Sequence, residues 1–560
     1  MFAADASRGS LAAPTLLFNS SMPVEIGRLR CAPLLLAALI SVSCSGCEKT
    51  RPRRASRVLV AAIGGDPGHL NPAITTNGGV SSASALLYDG LLMLDDSLRP
   101  QPALAVRWEV LDDGARYVFH LRHGVRWHDG EPFTAADVTY SFTQVLLKFH
   151  ARTRASLGPA LASVVALDDS TVEFRFRRPY APLLQQLDVT ETPIIPRHLY
   201  QGTDPLRNPT NIAPVGTGPF RFVSYQPNAE IRLAANKDYF GGAPNIRTVV
   251  LRIIPDPGTQ VLALETGEVD YLYTVPGPER RRLREDPRIV VTEATVSTGG
   301  SNCIMSMGFN LDRPVFRDVR VRRAFAHAIN RPQFVERVLF GDGRAADAPI
   351  SSRILFAHAS GLAIPAWDTT RAAALLDSAG WKLNGADGRR LAHGVPGIPD
   401  GTPFAIVFKA LPSQGNYGEL LRAQLRAVGV DMRVVTLEQA VFAQTVFTAR
   451  DFDTAIGAYC NGTDPEIGVR RMLVSSSIAP IAFSNMAAYR NATVDSLFEL
   501  AASALVTETR RRLYRQIQEI VVRDQPYVWL VETTSSRAYN KRCRKFGNNP
   551  HFALTARCGE

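Results

Sequence analysis

Only one stretch of the 560-residue chain is apolar enough to engage a membrane, and it is too short to cross one. From Arg28-Leu29-Arg30 the sequence runs into Cys31-Ala-Pro-Leu-Leu-Leu-Ala-Ala-Leu-Ile-Ser-Val42 and then Ser43-Cys-Ser-Gly-Cys47. A basic start, a short apolar segment and small residues form the pattern of an export signal. Residues 31–42 give roughly 18 Å of helix at about 1.5 Å per residue, against a hydrocarbon core of about 30 Å. Residues 1–21 lack the pattern, which makes Met22 the candidate initiator. The chain beyond the signal must bury its apolar side chains in its own fold, outside the cytoplasm.

Ser45-Gly46 before Cys47 resembles the bacterial lipoprotein cleavage box, with Cys44 where that box has leucine. Cys47 is the candidate lipidation site, Cys44 competes with it, and cleavage without a lipid is the third reading. No second CxxC accompanies Cys44-Ser-Gly-Cys47 to make a zinc or redox pair. Removing residues 1–46 takes away three basic and two acidic residues, so the formal charge of +11 becomes +10. The arginine clusters Arg51–Arg54, Arg280–Arg282 and Arg510–Arg512 lack an interleaved aromatic platform, so they read as solvated faces and no nucleic-acid partner is expected. Those directly after Cys47 suit anionic headgroups.

In an oxidising compartment Cys303, Cys460, Cys543 and Cys558 allow three pairings. Cys543 with Cys558 is the local choice, closing a loop of about 16 residues worth roughly 3 kcal/mol in the chain-entropy model. Cys303 and Cys460 remain open between a second bridge and free thiols.

The apolar strand Val58–Ile63, a Gly/Pro-rich turn and a helix-like run from Ala83 to Met93 suggest an α/β lobe. Tyr117–Arg122 and Thr171–Arg177 alternate at period two, as half-buried strands do. Between them Thr134 and Asp137 form a capping-box pattern ahead of a helix reaching about Leu147. The prolines of Pro205–Pro219 mark a return between folding units. Helices are predicted over Gly258–Leu264, Asp318–Ile329, Arg371–Ala379, Glu419–Val428 and Thr507–Arg523.

Catalytic signatures are missing. After residue 46 the sequence contains no GxxxxGK[ST], HExxH, GxSxG or paired CxxC motif. His120, His123 and His128 are the densest histidine group, but His120 and His123 are an odd number of residues apart on an extended strand and point to opposite faces. A turn at Asp129-Gly130 separates His128 from them, so no metal site and no cofactor is expected here. The pairs Asp95-Asp96, Asp112-Asp113 and Asp168-Asp169 read as turn residues.

Ordered segments over nearly the whole mature chain point further. They are Asp66-Pro-Gly-His-Leu-Asn-Pro72, Leu87-Tyr-Asp-Gly-Leu-Leu92, Pro102-Ala-Leu-Ala-Val-Arg-Trp108 and Arg126-Trp-His-Asp-Gly-Glu-Pro-Phe-Thr-Ala-Ala-Asp-Val138. Then come Gly216-Thr-Gly-Pro-Phe220, Gly267-Glu-Val-Asp270, Phe309-Asn-Leu311 and Val319-Arg-Val-Arg-Arg-Ala-Phe-Ala326. Asp377-Ser-Ala-Gly-Trp381 and Tyr514-Arg-Gln-Ile-Gln518 complete the order. Together they resemble the peptide and nickel class of solute-binding proteins that serve ABC importers.

The resemblance implies an α/β, bilobal, hinged periplasmic-binding-protein-like fold, with two α/β lobes, an inserted α+β subdomain and a solute enclosed between the lobes. By analogy the signal region is 1–46 and the linker 47–55. Lobe I is 56–96, 209–302 and 526–560, the inserted subdomain 97–208, and lobe II 303–525. The implied protein is a non-enzymatic, monomeric periplasmic or membrane-anchored receptor for a peptide or other small solute, with a permease and ATPase complex as partner. A secreted hydrolase on a similar shell and a ligand sensor without a permease are the alternatives.

In the peptide-binding branch an aspartate pairs with the ligand ammonium and an arginine with its carboxylate. Here the position three residues before Asp464-Pro465 is Asn461, and Pro412-Ser-Gln-Gly-Asn-Tyr417 contains no arginine. The candidate ligand-binding residues are therefore Asn461, Gln414 and Asp464, the last either replacing the missing carboxylate or capping the next helix. Thr76, Asn77 and Gly78 join them from the loop Thr75–Gly79, which corresponds to a cleft-lining segment of lobe I.

Overall fold

The first strand, Val58–Ile63, is apolar throughout because it is covered on both sides: Leu59, Ala61 and Ile63 enter one core while Val60 and Ala62 enter another. Period-two side-chain alternation inside a sheet that meets water on neither face requires such a run. The computed structural model describes residues 57–75, 78–294, 302–384, 387–481, 483–547 and 550–559. The signal region 1–46, Cys47, the linker 47–55, and also Thr76 and Asn77 lie outside the described residues.

Val58–Ile63 pairs in parallel with Thr248–Ile253 and with Tyr271–Leu272 inside a seven-stranded sheet. Its edges are Ile289–Glu293 and Phe220–Gln226. A second, six-stranded sheet runs in the order Gly343–Ala345, Tyr527–Thr533, Cys303–Phe309, Thr454–Cys460, Ala405–Ala410, Asp431–Thr436. A four-stranded antiparallel sheet over 105–176 forms the insertion, and its core is continuous with that of the first sheet. The bilobal α/β architecture with an inserted subdomain is the one observed.

The chain passes between the large sheets twice, and the described residues that flank the two passages pair with each other. Glu293 opposes Ser536 on one side, Ile304 opposes Glu532 on the other, and Ala294 N–H donates to Ser535 O at 2.7 Å between them. Strand Tyr527–Thr533 therefore belongs to the second sheet, so the return expected at 526 occurs at 534. Pro526 follows the end of the helix Thr507–Asp524 and the left-handed Gln525, and it does not mark the end of the lobe. That helix lies close to its expected span; the helix predicted over Glu419–Val428 occupies Gly415–Arg426. The helix predicted over Ala83–Met93 is not formed: Gly78–Ser84 is helical and Leu92–Leu94 is a strand. Leu86, Leu87, Tyr88, Leu91 and Leu92 are all fully buried, leaving no polar face for an amphipathic helix.

Several of the ordered motifs meet in this core. Gly218 N–H donates to Leu87 O at 2.9 Å, and Thr217 Oγ1 donates to Asp89 Oδ2 at 2.7 Å. A Cβ on Gly216 would collide with Leu87 O, and one on Gly218 would lie 2.6 Å from Leu87 C. Both are backbone neighbours that cannot swing aside. Gly216→Ala is accordingly expected to destabilise the protein by about 1–3 kcal/mol, read as a lower denaturant midpoint at unchanged slope.

Candidate functional site

Parallel strands end together where ligands gather in open α/β sheets, outside their carboxyl ends. In the second sheet Ala405–Ala410 and Thr454–Cys460 are parallel neighbours, and the chain leaves them into Pro412–Gln414 and Asn461–Asp464 respectively. In the first sheet Val58–Ile63 and Thr248–Ile253 run parallel, and the first leads into the segment ending at Gly78. Gln414 and Asn461 each follow the carboxyl end of one of these strands, but Phe408 pairs with Thr454, so the second strand continues past the end of the first before reaching Asn461. Gly78 opens the helix Gly78–Ser84 and faces open space.

The Asn461 amide is turned inward. Its Oδ1 accepts from Ser351 N–H at 2.6 Å, and its Nδ2 donates to Tyr459 O at 3.3 Å, with the residue fully buried. Gln414 is half-buried, and its Oε1 has no hydrogen-bond partner among the described residues. Asp464 is not an open carboxylate. Its two oxygens pair with Arg510, Nη1 to Oδ2 at 2.8 Å and Nη2 to Oδ1 at 2.9 Å, while Oδ1 also caps the helix Pro465–Gly468 through Glu466 N–H at 3.0 Å. The reading of Asp464 as the substitute ligand carboxylate is corrected: Arg510, 46 positions away, claims that charge.

Arg510 is the residue sequence reasoning missed. It sits among Arg510–Arg512, read as a solvated face, yet Arg510 is 5 % exposed while Arg511 and Arg512 point outward. The only signal was position, since Arg510 shares the buried face of its helix with Tyr514, one turn on. Its guanidinium donates to Tyr514 Oη at 2.9 Å and to Ala501 O at 3.0 Å, and lies over the Phe356 ring. Burial pulls its pKa down, but the charge and hydrogen bonds of Asp464 and the neighbouring Tyr514 and Glu466 hold it above the ordinary arginine value.

Glu466 lies beside this pair and behaves differently. Burial pushes its carboxyl up to about 7, with Asp464 adding to the rise while Arg470 and Arg510 oppose it. A carboxyl whose folded pKa exceeds its unfolded one stabilises the fold below the unfolded value, and that contribution is lost as pH rises through the folded value. Parent protein should therefore lose about 3 kcal/mol between pH 5 and pH 8 relative to Glu466→Gln. The difference between the two denaturation curves isolates this group. Asp188, raised to about 7 by burial and Glu191, acts in the same direction in both proteins; His128, lowered to about 4 by burial, acts in the opposite one.

Contacts from the insertion close over this corner: Thr463 Oγ1 donates to Gln185 O at 2.7 Å, and Ala181 N–H to Ala502 O at 2.7 Å. The cavities of about 690 and 810 Å³ lie elsewhere, lined by Arg323, His327 and Arg515 in one and by Arg280, Glu336 and Phe340 in the other. Neither includes Asn461, Asp464, Gly78 or Gln414.

Disulfides join Cys543 to Cys558 and Cys303 to Cys460. Each pair lies directly opposite across an antiparallel ladder. The second links the first residue of a strand leaving the crossover to the residue before Asn461. His120 and His128 make separate contacts, with Glu109 Oε1 at 2.8 Å and Gly218 O at 3.0 Å.

A family model described as bacterial extracellular solute-binding proteins, family 5, middle region, matches residues 99–479. The chain is 26 % identical over 540 residues to oligopeptide-binding protein AppA of Bacillus subtilis, covering 92 % of this chain and 95 % of that one. The structure of AppA from Bacillus subtilis in complex with a nonapeptide superposes with a TM-score of 0.74 at 24 % identity, over 90 % of this chain and 99 % of its own. NikA from Brucella suis in complex with Fe(III)-EDTA gives 0.77 at 23 % identity, over 90 % and 100 %. At such identities the two structures establish the fold.

Proposed function

This chain belongs to family 5 of the bacterial extracellular solute-binding proteins, and from that premise we propose that it captures a peptide or a related small solute between its lobes and hands it, chemically unaltered, to an ABC permease with its ATPase. The reading is carried by one observation: two α/β sheets between which the chain passes twice, one with strands leading into Gln414 and into Asn461, the other with a first strand that leads toward Gly78. Thr76, Asn77, Gly78 and Gln414 contribute to the ligand surface; Asn461, buried with its amide bonded to Ser351 and Tyr459, and Asp464, through Arg510, act behind it. The 26 % identity to an oligopeptide-binding protein supports peptide as the solute class. Catalysis has no place in this scheme. We further propose a monomer, exported and tethered by lipid at Cys47, with Arg51–Arg54 beside anionic headgroups.

Asn461 carries no charge and Asp464 is spent on Arg510, so a ligand ammonium finds no open carboxylate at either position. N-acetylation of a bound peptide is therefore expected to change its Kd by less than about threefold, under 1 kcal/mol at 25 °C. The test is native mass spectrometry of protein purified without denaturation to identify carried solute, then calorimetry with free and acetylated peptides. A more than tenfold loss on acetylation overturns this account of the binding surface. Release of cleaved peptide overturns the non-enzymatic reading and favours a hydrolase.

A further inference from the structure

Solute capture leaves one cluster unused. Asp347, His358 and Glu532 each present a ligand atom, and the three atoms lie within 4.8 Å of one another. Glu532 is the penultimate residue of the strand Tyr527–Thr533 that runs into the second crossover, and it is 3 % exposed. Its carboxylate is oriented by Ser352 N–H at 3.1 Å, Ser352 Oγ at 2.7 Å and Ser351 Oγ at 3.3 Å.

His358 Nδ1 lies 2.9 Å from Ile350 O. A carbonyl only accepts, so Nδ1 carries the proton, and in the neutral ring Nε2 is a lone pair. That lone pair faces Asp347 Oδ1 at 3.7 Å, and Oδ1 is a buried atom with no hydrogen-bond partner among the described residues. Asp347's second oxygen is held by Arg344. Two acceptors aimed at each other beside a third carboxylate call for a cation between them.

We propose that Asp347, His358 and Glu532 bind a divalent transition-metal ion, with one imidazole nitrogen and two carboxylate oxygens as ligands and a further position open to water. Imidazole nitrogen and carboxylate oxygen are both zinc ligands, here one of the former and two of the latter, and the hydrogen bond from His358 Nδ1 to Ile350 O and those from Ser351 and Ser352 to Glu532 orient the ligands as outer-shell partners do. Arg344 offsets Asp347, and Arg353, near Glu532, is itself paired with Glu293, so the trio keeps a negative charge for the ion to neutralise. Bond lengths of about 2.0–2.2 Å put ligand atoms roughly 3.3 Å apart, so the trio tightens on binding. Ser351 also donates its N–H to Asn461 Oδ1, which ties the ion to the strand end proposed for the solute.

The experiment is calorimetric titration of the chelator-stripped full chain with Zn²⁺ in the absence of solute. One equivalent is expected to bind, and His358→Gln should weaken that equivalent at least tenfold while His393→Gln, an exposed histidine elsewhere, leaves it unchanged. Zinc held by Cys31, Cys44 or Cys47 persists in both variants and subtracts out. Glu532→Gln should repeat the loss; if that buried change impairs folding, His358→Gln decides alone, its melting curve confirming the fold. Equal uptake by parent and His358→Gln, or no uptake by the parent, overturns the site and leaves a proton shared between His358 and Asp347 as the explanation.

Discussion

Arg510→Met is expected to lower the unfolding free energy by about 3–5 kcal/mol, because it strands the Asp464 charge at a position closed to solvent. Asp464 is 0 % exposed, and its side chain has the single cationic partner Arg510 among the described residues. Glu466, fully buried beside it, adds a second acid that Arg510 helps to balance. Chemical denaturation at pH 7 reads the loss directly. The double variant Asp464→Leu with Arg510→Met should recover most of it, since removing both charges costs far less than removing one. A single-variant loss below about 1 kcal/mol would mean that the pair is solvated and that Asp464 is free to meet a ligand after all. Because Asp464 also caps the helix Pro465–Gly468, the variant should loosen the chain just beyond Asn461, so peptide affinity is a second readout.

Removing the Cys303–Cys460 bridge should cost still more. The two cysteines are 157 residues apart, and the chain-entropy model gives about 5 kcal/mol for a closed loop of that size, against roughly 3 kcal/mol for the 15-residue separation of Cys543–Cys558. The double variant Cys303→Ser with Cys460→Ser is expected to show the larger fall in denaturant midpoint of the two disulfide knockouts. Asn302 Nδ2 donates to Gly462 O at 2.5 Å and Thr533 Oγ1 to Cys303 O at 3.2 Å, so this corner keeps non-covalent ties when the sulfurs are gone. Equal losses from both knockouts, or a smaller loss from this one, would show that the bridge does little to restrain the unfolded chain.

The ordered motifs that reveal the family turn out to be scaffold. Trp127 is buried and donates its Nε1–H to Asp137 Oδ2 at 3.4 Å, Asp137 Oδ1 accepts from Arg197 N–H, and Gly216-Thr-Gly rests on the backbone of Leu86 and Leu87. Arg322, within Val319–Ala326, donates to Phe316 O, Asp524 O and Gln525 O. Trp381 stacks on Phe404 with centroids 4.0 Å apart. Such contacts carry a strong sequence imprint because close backbone approach admits only glycine and buried polar groups admit only a matching partner. They locate the lobes and do not describe the ligand.

Strand alternation, helix caps, prolines and glycines are local signals, and from them the sequence by itself determined most of the elements; the two-lobed α/β class and the family came from the resemblance carried by its ordered motifs. The partner of Asp464, the inward turn of Asn461, the bridge at Cys303 and the return at 534 depend on residues that lie far apart along the chain. Only the tertiary structure decided these, because a charge or an amide is open or spent according to which distant group arrives beside it, and one-dimensional periodicity records no such meeting.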